Sequence, residues 1–140
     1  VYHLALWAAL RHRFQLVYCA MLAVMIVYTL SSSGALAWFV PTIDNNDRIR
    51  VNYAALGLAA GLAVLFARTF FEPRVFAGWL TPLAHGATLL LATAGLIFAA
   101  LSHVSVPRAD LVYSVSLLIG FSSAGPILWR AWRMRSNYLW

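Results

Sequence analysis

The chain is a series of long apolar stretches, and its ten arginines fall almost entirely in the gaps between them. It contains no lysine, and its four carboxylates lie in the same gaps. Hydrophobic residues make up 63% of the sequence and charged residues only 10%, whereas a soluble domain usually has about 25% charged residues. Apolar runs of about 20 residues are long enough to cross a bilayer as helices. The pattern therefore predicts an all-α, polytopic transmembrane helical bundle.

About five membrane spans are predicted from these stretches and from the turn-forming residues between them. The loop Pro41–Arg50 is rich in Asp and Asn, and the pair Glu72-Pro73 stops a helix. The first stretch is only about half a span long, so we expect both it and the last one to be truncated in a partial, single transmembrane domain, 1–140. The expected spans are 1–10, 14–40, 51–71, 82–101 and 111–129, with the start of a sixth from 136.

The arginines also predict an orientation, because cytoplasmic loops collect positive charge. Seven arginines lie in the odd gaps and three in the even gaps, where aspartates neutralise them. We expect the first helix to start outside and the loops after spans one, three and five to be cytoplasmic. The dispersion of the charge over five gaps argues against a nucleic-acid partner and for the lipid bilayer. The topology-setting residues are Arg11, Arg13, Arg68, Arg74, Arg130, Arg133 and Arg135.

Small residues at four-residue spacing mark two predicted helix-packing faces. Gly57 and Gly61 form a GxxxG pair in the third span, and Ser116, Gly120 and Ala124 form a similar row in the fifth. Small residues let two membrane helices approach closely. These faces either move against each other during signalling or provide ordinary static packing.

Two polar groups lie within predicted spans. His85 is about one and a half turns into the fourth span, and an ionisable residue there is a functional candidate. The alternative is a neutral imidazole that is hydrogen-bonded across helices. Ser31, Ser32 and Ser33, followed by Gly34, predict a bend or a helix end before a short interfacial piece, Ala35–Val40. The serines mark a small cavity, or their hydroxyls bond to their own helix.

Further along, Ser122 and Ser123 are expected to bond back to helix carbonyls, whereas Gly125-Pro126 predicts a kink. The sequence offers no catalytic grouping, no metal-binding spacing and no disulfide, since Cys19 is its only cysteine. The four histidines do not match in membrane depth as haem ligands would. We therefore expect no cofactor, no metal site and no enzymatic activity in this region.

Three segments resemble a known receptor family. Tyr2–Ala20 resembles its first helix end, tight arginine turn and second helix, and Leu30–Pro41 its Ser-Gly then aromatic-aliphatic-Pro ending. Ala55–Glu72 is similar to its third helix, which ends in a Phe-Ala-Arg-x-Phe-Leu type sequence before an acidic residue. The family is that of bacterial seven-transmembrane receptors with diverse intracellular signalling modules (7TMR-DISM). Beyond Glu72 the resemblance is mainly in span order and loop length.

The resemblance implies a sensor in the bacterial inner membrane. It implies an extracytoplasmic domain that senses an unknown small-molecule ligand, and a cytoplasmic histidine kinase or diguanylate cyclase as output module. It also implies two further helices, and we expect a homodimer formed through the output module. The alternative functions are a small transporter or channel subunit, a haem-binding electron carrier, and a lipid-modifying enzyme.

Overall fold

The computed structural model describes residues 13–103 and 105–136, which contain helices and connecting turns but no strand. The prediction of an all-α bundle is confirmed. The predicted first span, 1–10, and the residues after Ser136 lie outside the described ranges. The helices are α1 (Arg13–Ser32), α2 (Leu36–Phe39), α3 (Asn45–Phe70), α4 (Leu80–Leu101), α5 (Val106–Ser122) and α6 (Ala124–Arg133).

Four helical stretches in the described residues are long and apolar enough to cross a membrane. Three are single helices, α1, α3 and α4, and the fourth is formed by α5 and α6 together, from Val106 to Arg133. Their outward faces are apolar, with Leu118 74% and Leu89 66% exposed. Such exposure is costly in water but not against lipid tails. The bundle therefore has the surface of a membrane protein.

The helix ends differ from the expected span limits for local reasons. Helix α1 ends at Ser32 rather than at the span limit of 40, in agreement with the bend or helix end predicted at the serines, because Gly34 adopts a left-handed φ of 80° and turns the chain. Helix α3 begins at Asn45 rather than at 51, because the Asp44 side chain caps it by accepting the Asn46 amide at 3.3 Å. Helix α5 begins at Val106, with a proline in its first turn.

The spans pack in the order in which they follow one another along the chain. Helix α3 lies between α1 and α4, and α4 lies between α3 and α5. One end of the bundle contains the start of α1 and the ends of α3 and α6, and we call it the arginine-rich end. The other end carries the loops before α3 and before α5, and we call it the opposite end.

Each end has its own hydrophobic cluster. At the arginine-rich end, the turn between α3 and α4 places Val75 and Phe76 against Leu80, Ala84, Ile127 and Ala131, all of them buried. Towards the opposite end, Ala94, Phe98, Ala109 and Tyr113 form the second cluster, with Tyr53 packed against it. Polar side chains lie at the two ends of the bundle, and the backbones of α3 and α4 meet between these ends.

Candidate functional site

Helices α3 and α4 touch backbone to backbone along a row of glycines. A Cβ atom added to Gly57 would lie 2.8 Å from the carbonyl oxygen of Leu91, and one added to Gly61 would lie 2.9 Å from that of Thr88. From the other side, a Cβ on Gly95 would lie 2.4 Å from the Cα atom of Ala54. These distances leave no room for a side chain. We call Gly57, Gly61 and Gly95 the glycine seam.

Two members of the seam, Gly57 and Gly61, were predicted from the sequence, whereas Gly95 was not. A signal for it existed, because a single glycine inside a helix is unfavourable relative to alanine by about 1 kcal/mol and needs a packing reason. Gly86, in the same helix, shows that the signal is ambiguous, since a Cβ at Gly86 would meet nothing within 4 Å.

At Gly120, helix α5 contacts α4 differently, through one large side chain. A Cβ on Gly120 would lie 2.4 Å from both Cγ and Cδ2 of Leu91, so the Leu91 side chain occupies the space above Gly120. Leu91 is fully buried. Ser116, one turn earlier on α5, is also buried, and its hydroxyl donates to the Val112 carbonyl at 2.7 Å. We call this contact the Leu91 socket.

The packed face of α5 does not continue through Ala124, which is exposed. Ser123 is buried there instead, and the face goes on to Ile127. The helix is interrupted at Ser123, where the Ser122 and Ser123 hydroxyls donate to the carbonyls of Ile119 and Gly120, each at 2.6 Å. This interruption shifts which residue faces the bundle.

The interruption lies just before Gly125-Pro126, where a kink was expected. Proline has no N–H to bond to the carbonyl four residues earlier, which here belongs to Ser122. The amide of Ile127 reaches the Ser123 carbonyl only at 3.4 Å. The weak point in this span is therefore the segment 122–126.

A polar cluster at the opposite end centres on Arg50. Its guanidinium donates to the Asp47 carboxylate at 2.6 Å and to the Ser102 hydroxyl at 3.0 Å, and its third nitrogen lies 3.0 Å from His103 Nδ1. Arg50 thus joins the start of α3 to the end of α4. From the sequence, Arg50 was predicted only as loop charge, since Ser102 and His103, just after α4, are more than fifty residues away.

Three aromatic rings lie beneath this cluster. Tyr53 stacks on Phe98 with ring centroids 3.8 Å apart and meets the edge of Tyr113 at 4.7 Å. The Tyr53 hydroxyl donates to Asp110 at 2.9 Å, which links α3 to α5. A cavity of about 280 Å³ opens beside Arg50, Phe98 and His103. The opposite end is therefore held by contacts among three helices.

The serines after α1 have separate roles. Ser31 is buried, and its hydroxyl donates to the Arg48 carbonyl at 2.7 Å, which ties the end of α1 to the start of α3. Ser32 and Ser33 are exposed and bond only to the nearby carbonyls of Thr29 and Leu30. Ser31 thus faces α3, whereas Ser32 and Ser33 lie on the surface.

Replacing Ser31 with alanine should lower the free energy of unfolding by about 1 kcal/mol, because it removes one hydrogen bond and leaves the Arg48 carbonyl without that donor. Ser32→Ala is the matched control and should change it by less than about 0.5 kcal/mol, since Ser32 is exposed. Chemical unfolding in detergent micelles measures both. Equal effects of the two substitutions would show that the Ser31 bond does not hold α1 to α3.

His85 lies on the exposed side of α4, where its Nε2 contacts the Arg68 guanidinium of α3. This contact joins the two helices near the arginine-rich end. His85 is thus a partner of Arg68 on the bundle surface, away from the glycine seam.

A second polar contact at this end involves Glu72. Arg74 pairs with Glu72 at 3.4 Å, and the same carboxylate accepts the Ser136 hydroxyl at 2.5 Å.

The remaining topology-setting arginines lie near helix ends. Arg13 begins α1 and is exposed, and Arg130 and Arg133 are in the last turn of α6. Arg135 follows with a positive φ of 49°. Arg11 lies outside the described residues. In the ranges 13–103 and 105–136, no three His, Cys, Asp or Glu side chains are grouped to hold a metal ion.

The fold and the contacts between its helices define a polytopic α-helical membrane protein. Over residues 1–139 the sequence matches the family described as 7TM diverse intracellular signalling. The chain belongs to this family, so the predicted resemblance is confirmed. Its class is that of a membrane sensor domain linked to intracellular signalling. No curated protein and no solved structure matches the chain.

Proposed function

We propose that this region relays an extracytoplasmic signal to a cytoplasmic output module, such as a histidine kinase or a diguanylate cyclase, by changing how α5 and α6 pack on the α3–α4 pair. This proposal is supported by the contrast between the glycine seam and the Leu91 socket. The glycine seam is a contact between backbones, whereas the Leu91 socket depends on one flexible side chain.

The glycine seam supports a rigid α3–α4 pair. Backbone atoms cannot move aside as a side chain can, so α3 and α4 slide past each other only by losing contact at all three glycines. Arg50 and Arg68 add polar links between the same two helices at the two ends. The pair therefore serves as the fixed part of the bundle.

The last span is suited to be the moving part. Leu91 can reach other rotamers if α5 shifts, because sp³ side chains have several staggered minima. The weak segment 122–126 lets α6 change direction relative to α5. Ile127 and Ala131 of α6 contact the buried turn residues Val75 and Phe76, so a shift of α6 also repacks the loop between α3 and α4. Such a shift needs a signal that favours one packing over the other.

Catalysis and dimer formation are expected in other parts of the receptor. We expect no reaction to be catalysed within this region and expect a homodimer formed through the output module. The excess of arginine at one end supports a location in the bacterial inner membrane with that end in the cytoplasm. The sensed molecule is expected to be a small ligand that acts from the extracytoplasmic side.

Replacing Gly57 or Gly61 with leucine should abolish the stimulus-dependent output of the intact receptor while leaving membrane insertion normal. Leucine would separate α3 from α4 and displace Leu91, on which α5 rests. The reference stimulus is the growth medium that gives the largest output ratio for the unmodified receptor. Output is measured as phosphorylation or cyclic dinucleotide formation, and insertion by membrane fractionation.

Gly86→Leu is the matched control, since a side chain there meets nothing within 4 Å. It should keep the response. An unchanged response in both the Gly57 and the Gly61 variants would contradict the proposed relay, and so would an equal loss in the Gly86 variant.

A further inference from the structure

We propose that the arginine-rich end carries a binding site for the headgroup of an anionic phospholipid. The site is a concave surface of about 530 Å³ between the start of α4 and the outer side of α6. We call it the Arg-Trp pocket. Its lining residues are Trp79, Pro126, Trp129, Arg130, Arg133 and Met134.

The pocket follows from the amphipathic character of α6. Ile127 and Ala131 are buried against the bundle, and the neighbouring stripe at 126, 129, 130 and 133 repeats with helical spacing. That stripe faces the pocket. Trp79 forms the opposite wall, and it follows Gly78, whose left-handed φ of 77° turns the chain before α4. Two separate helices thus contribute to one concave site.

The charge of the pocket is strongly positive and unneutralised. Neither ion pair of the described residues involves Arg130 or Arg133, and the sequence has no acidic residue after Asp110. The nearest inner-loop carboxylate, Glu72, is engaged by Arg74 and Ser136. An anion supplied from outside the protein is therefore the missing partner.

The geometry fits a phosphate group. Arginines three residues apart on a helix have Cβ atoms about 5–6 Å apart, so both guanidinium groups can bind one phosphate, each with two parallel N–H donors. An alternative role for arginines in a last turn is to interact favourably with the helix dipole. That role alone does not explain why the arginines line a concave surface together with the indole ring of Trp79.

The aromatic residues indicate that the phosphate belongs to a lipid. Trp79 and Trp129 are 60% and 61% exposed, and tryptophan at this exposure is typical of the headgroup level of a bilayer. Basic pockets between membrane helices bind anionic headgroups. A lipid bound here would contact both α4 and α6, with its phosphate at the arginines and its glycerol region along the indoles and Pro126.

The test uses the intact chain in nanodiscs of phosphatidylcholine and phosphatidylglycerol in equal amounts, with native mass spectrometry to count the lipids that stay bound. We expect the unmodified protein to retain phosphatidylglycerol preferentially. Arg130→Gln or Arg133→Gln should lower that preference roughly fivefold, and the two together roughly 25-fold. Arg108→Gln, an exposed arginine at the opposite end, is the matched control and should leave it unchanged.

A second variant tests whether lipid retention depends on the shape of the pocket as well as on its positive charge. Trp79→Ala removes one wall without changing the charge, and we expect it to weaken phosphatidylglycerol retention as well. The proposal would be overturned if the Arg108 variant lost phosphatidylglycerol to the same extent. Full retention of this lipid by the Arg130/Arg133 double variant, or by the Trp79 variant, would overturn it as well. In nanodiscs of phosphatidylcholine alone, inorganic phosphate should not bind measurably, and its tight binding would overturn the assignment to a lipid.

Discussion

Replacing Gly95 with alanine should lower the free energy of unfolding of the bundle by about 3 kcal/mol, at the upper end of the usual cost of overpacking. The new Cβ would lie 2.4 Å from the Cα atom of Ala54 and 2.6 Å from the carbonyl oxygen of Tyr53. Both are backbone atoms, so α3 as a whole has to move away. That movement also disturbs the contacts of Gly57 and Gly61.

Gly86→Ala is the control for this substitution, because it makes the same chemical change in the same helix. A Cβ at Gly86 meets nothing within 4 Å, so the variant should be as stable as the unmodified protein or more stable by up to about 1 kcal/mol. Urea unfolding in detergent micelles, followed by tryptophan fluorescence, measures both variants. If Gly95→Ala were as stable as Gly86→Ala, the close backbone contact of α3 and α4 would be refuted.

The second large effect concerns Leu91 and Gly120. Leu91→Ala should cost about 2–5 kcal/mol, because it opens a cavity at a fully buried position. Gly120→Ala should cost about 1–3 kcal/mol, because its Cβ overlaps the Leu91 side chain. The double variant should cost less than the sum by about 1–2 kcal/mol, since the new methyl group partly fills the space that Leu91 leaves.

This coupling is measured by the same unfolding experiment on the two single variants and the double variant. The reference is a pair of substitutions at two distant positions, Leu91→Ala and Ser32→Ala. Their changes in the free energy of unfolding should add within about 0.5 kcal/mol. If the free-energy changes of the Leu91 and Gly120 substitutions were also additive, these two residues would not contact each other between α4 and α5.

The membrane fold was predictable because apolar length is a local property. A helix must satisfy its own backbone hydrogen bonds in lipid, so a long run without charges is sufficient to predict a span. Helix ends were less predictable. The serines and Gly34 indicated a bend or a helix end before Ala35, and the left-handed turn at Gly34 lies there, but the predicted start at Val51 missed the cap at Asp44.

The contacts between helices were only partly predictable, because they depend on which faces meet in three dimensions. A GxxxG pair was visible in α3, but its counterpart Gly95 stands alone in α4. Ala124 fits a four-residue spacing in the sequence, yet the interruption at Ser123 rotates it outward. The links made by Arg50 join residues far apart in the chain, and no spacing rule in one sequence would have indicated them.

The relay by helix repacking is tested most directly by locking the Leu91 socket with a disulfide. The pair Leu91→Cys/Gly120→Cys would join α4 to α5. A Cβ built on Gly120 would lie 2.4 Å from Cγ of Leu91, which places the two Cβ atoms within about 4 Å, close enough for a disulfide. Cys19 is replaced by serine, and Leu91→Cys alone is the control.

The measurement is the output ratio of the intact receptor in the reference medium, before and after oxidation and again after reduction. We expect oxidation of the 91–120 pair to abolish the response and reduction to restore it. Oxidation should leave the response of the Leu91→Cys control unchanged, because that variant has no second thiol to bond to. A response that survives the 91–120 disulfide, or an equal loss on oxidation in the Leu91→Cys control, would contradict the relay.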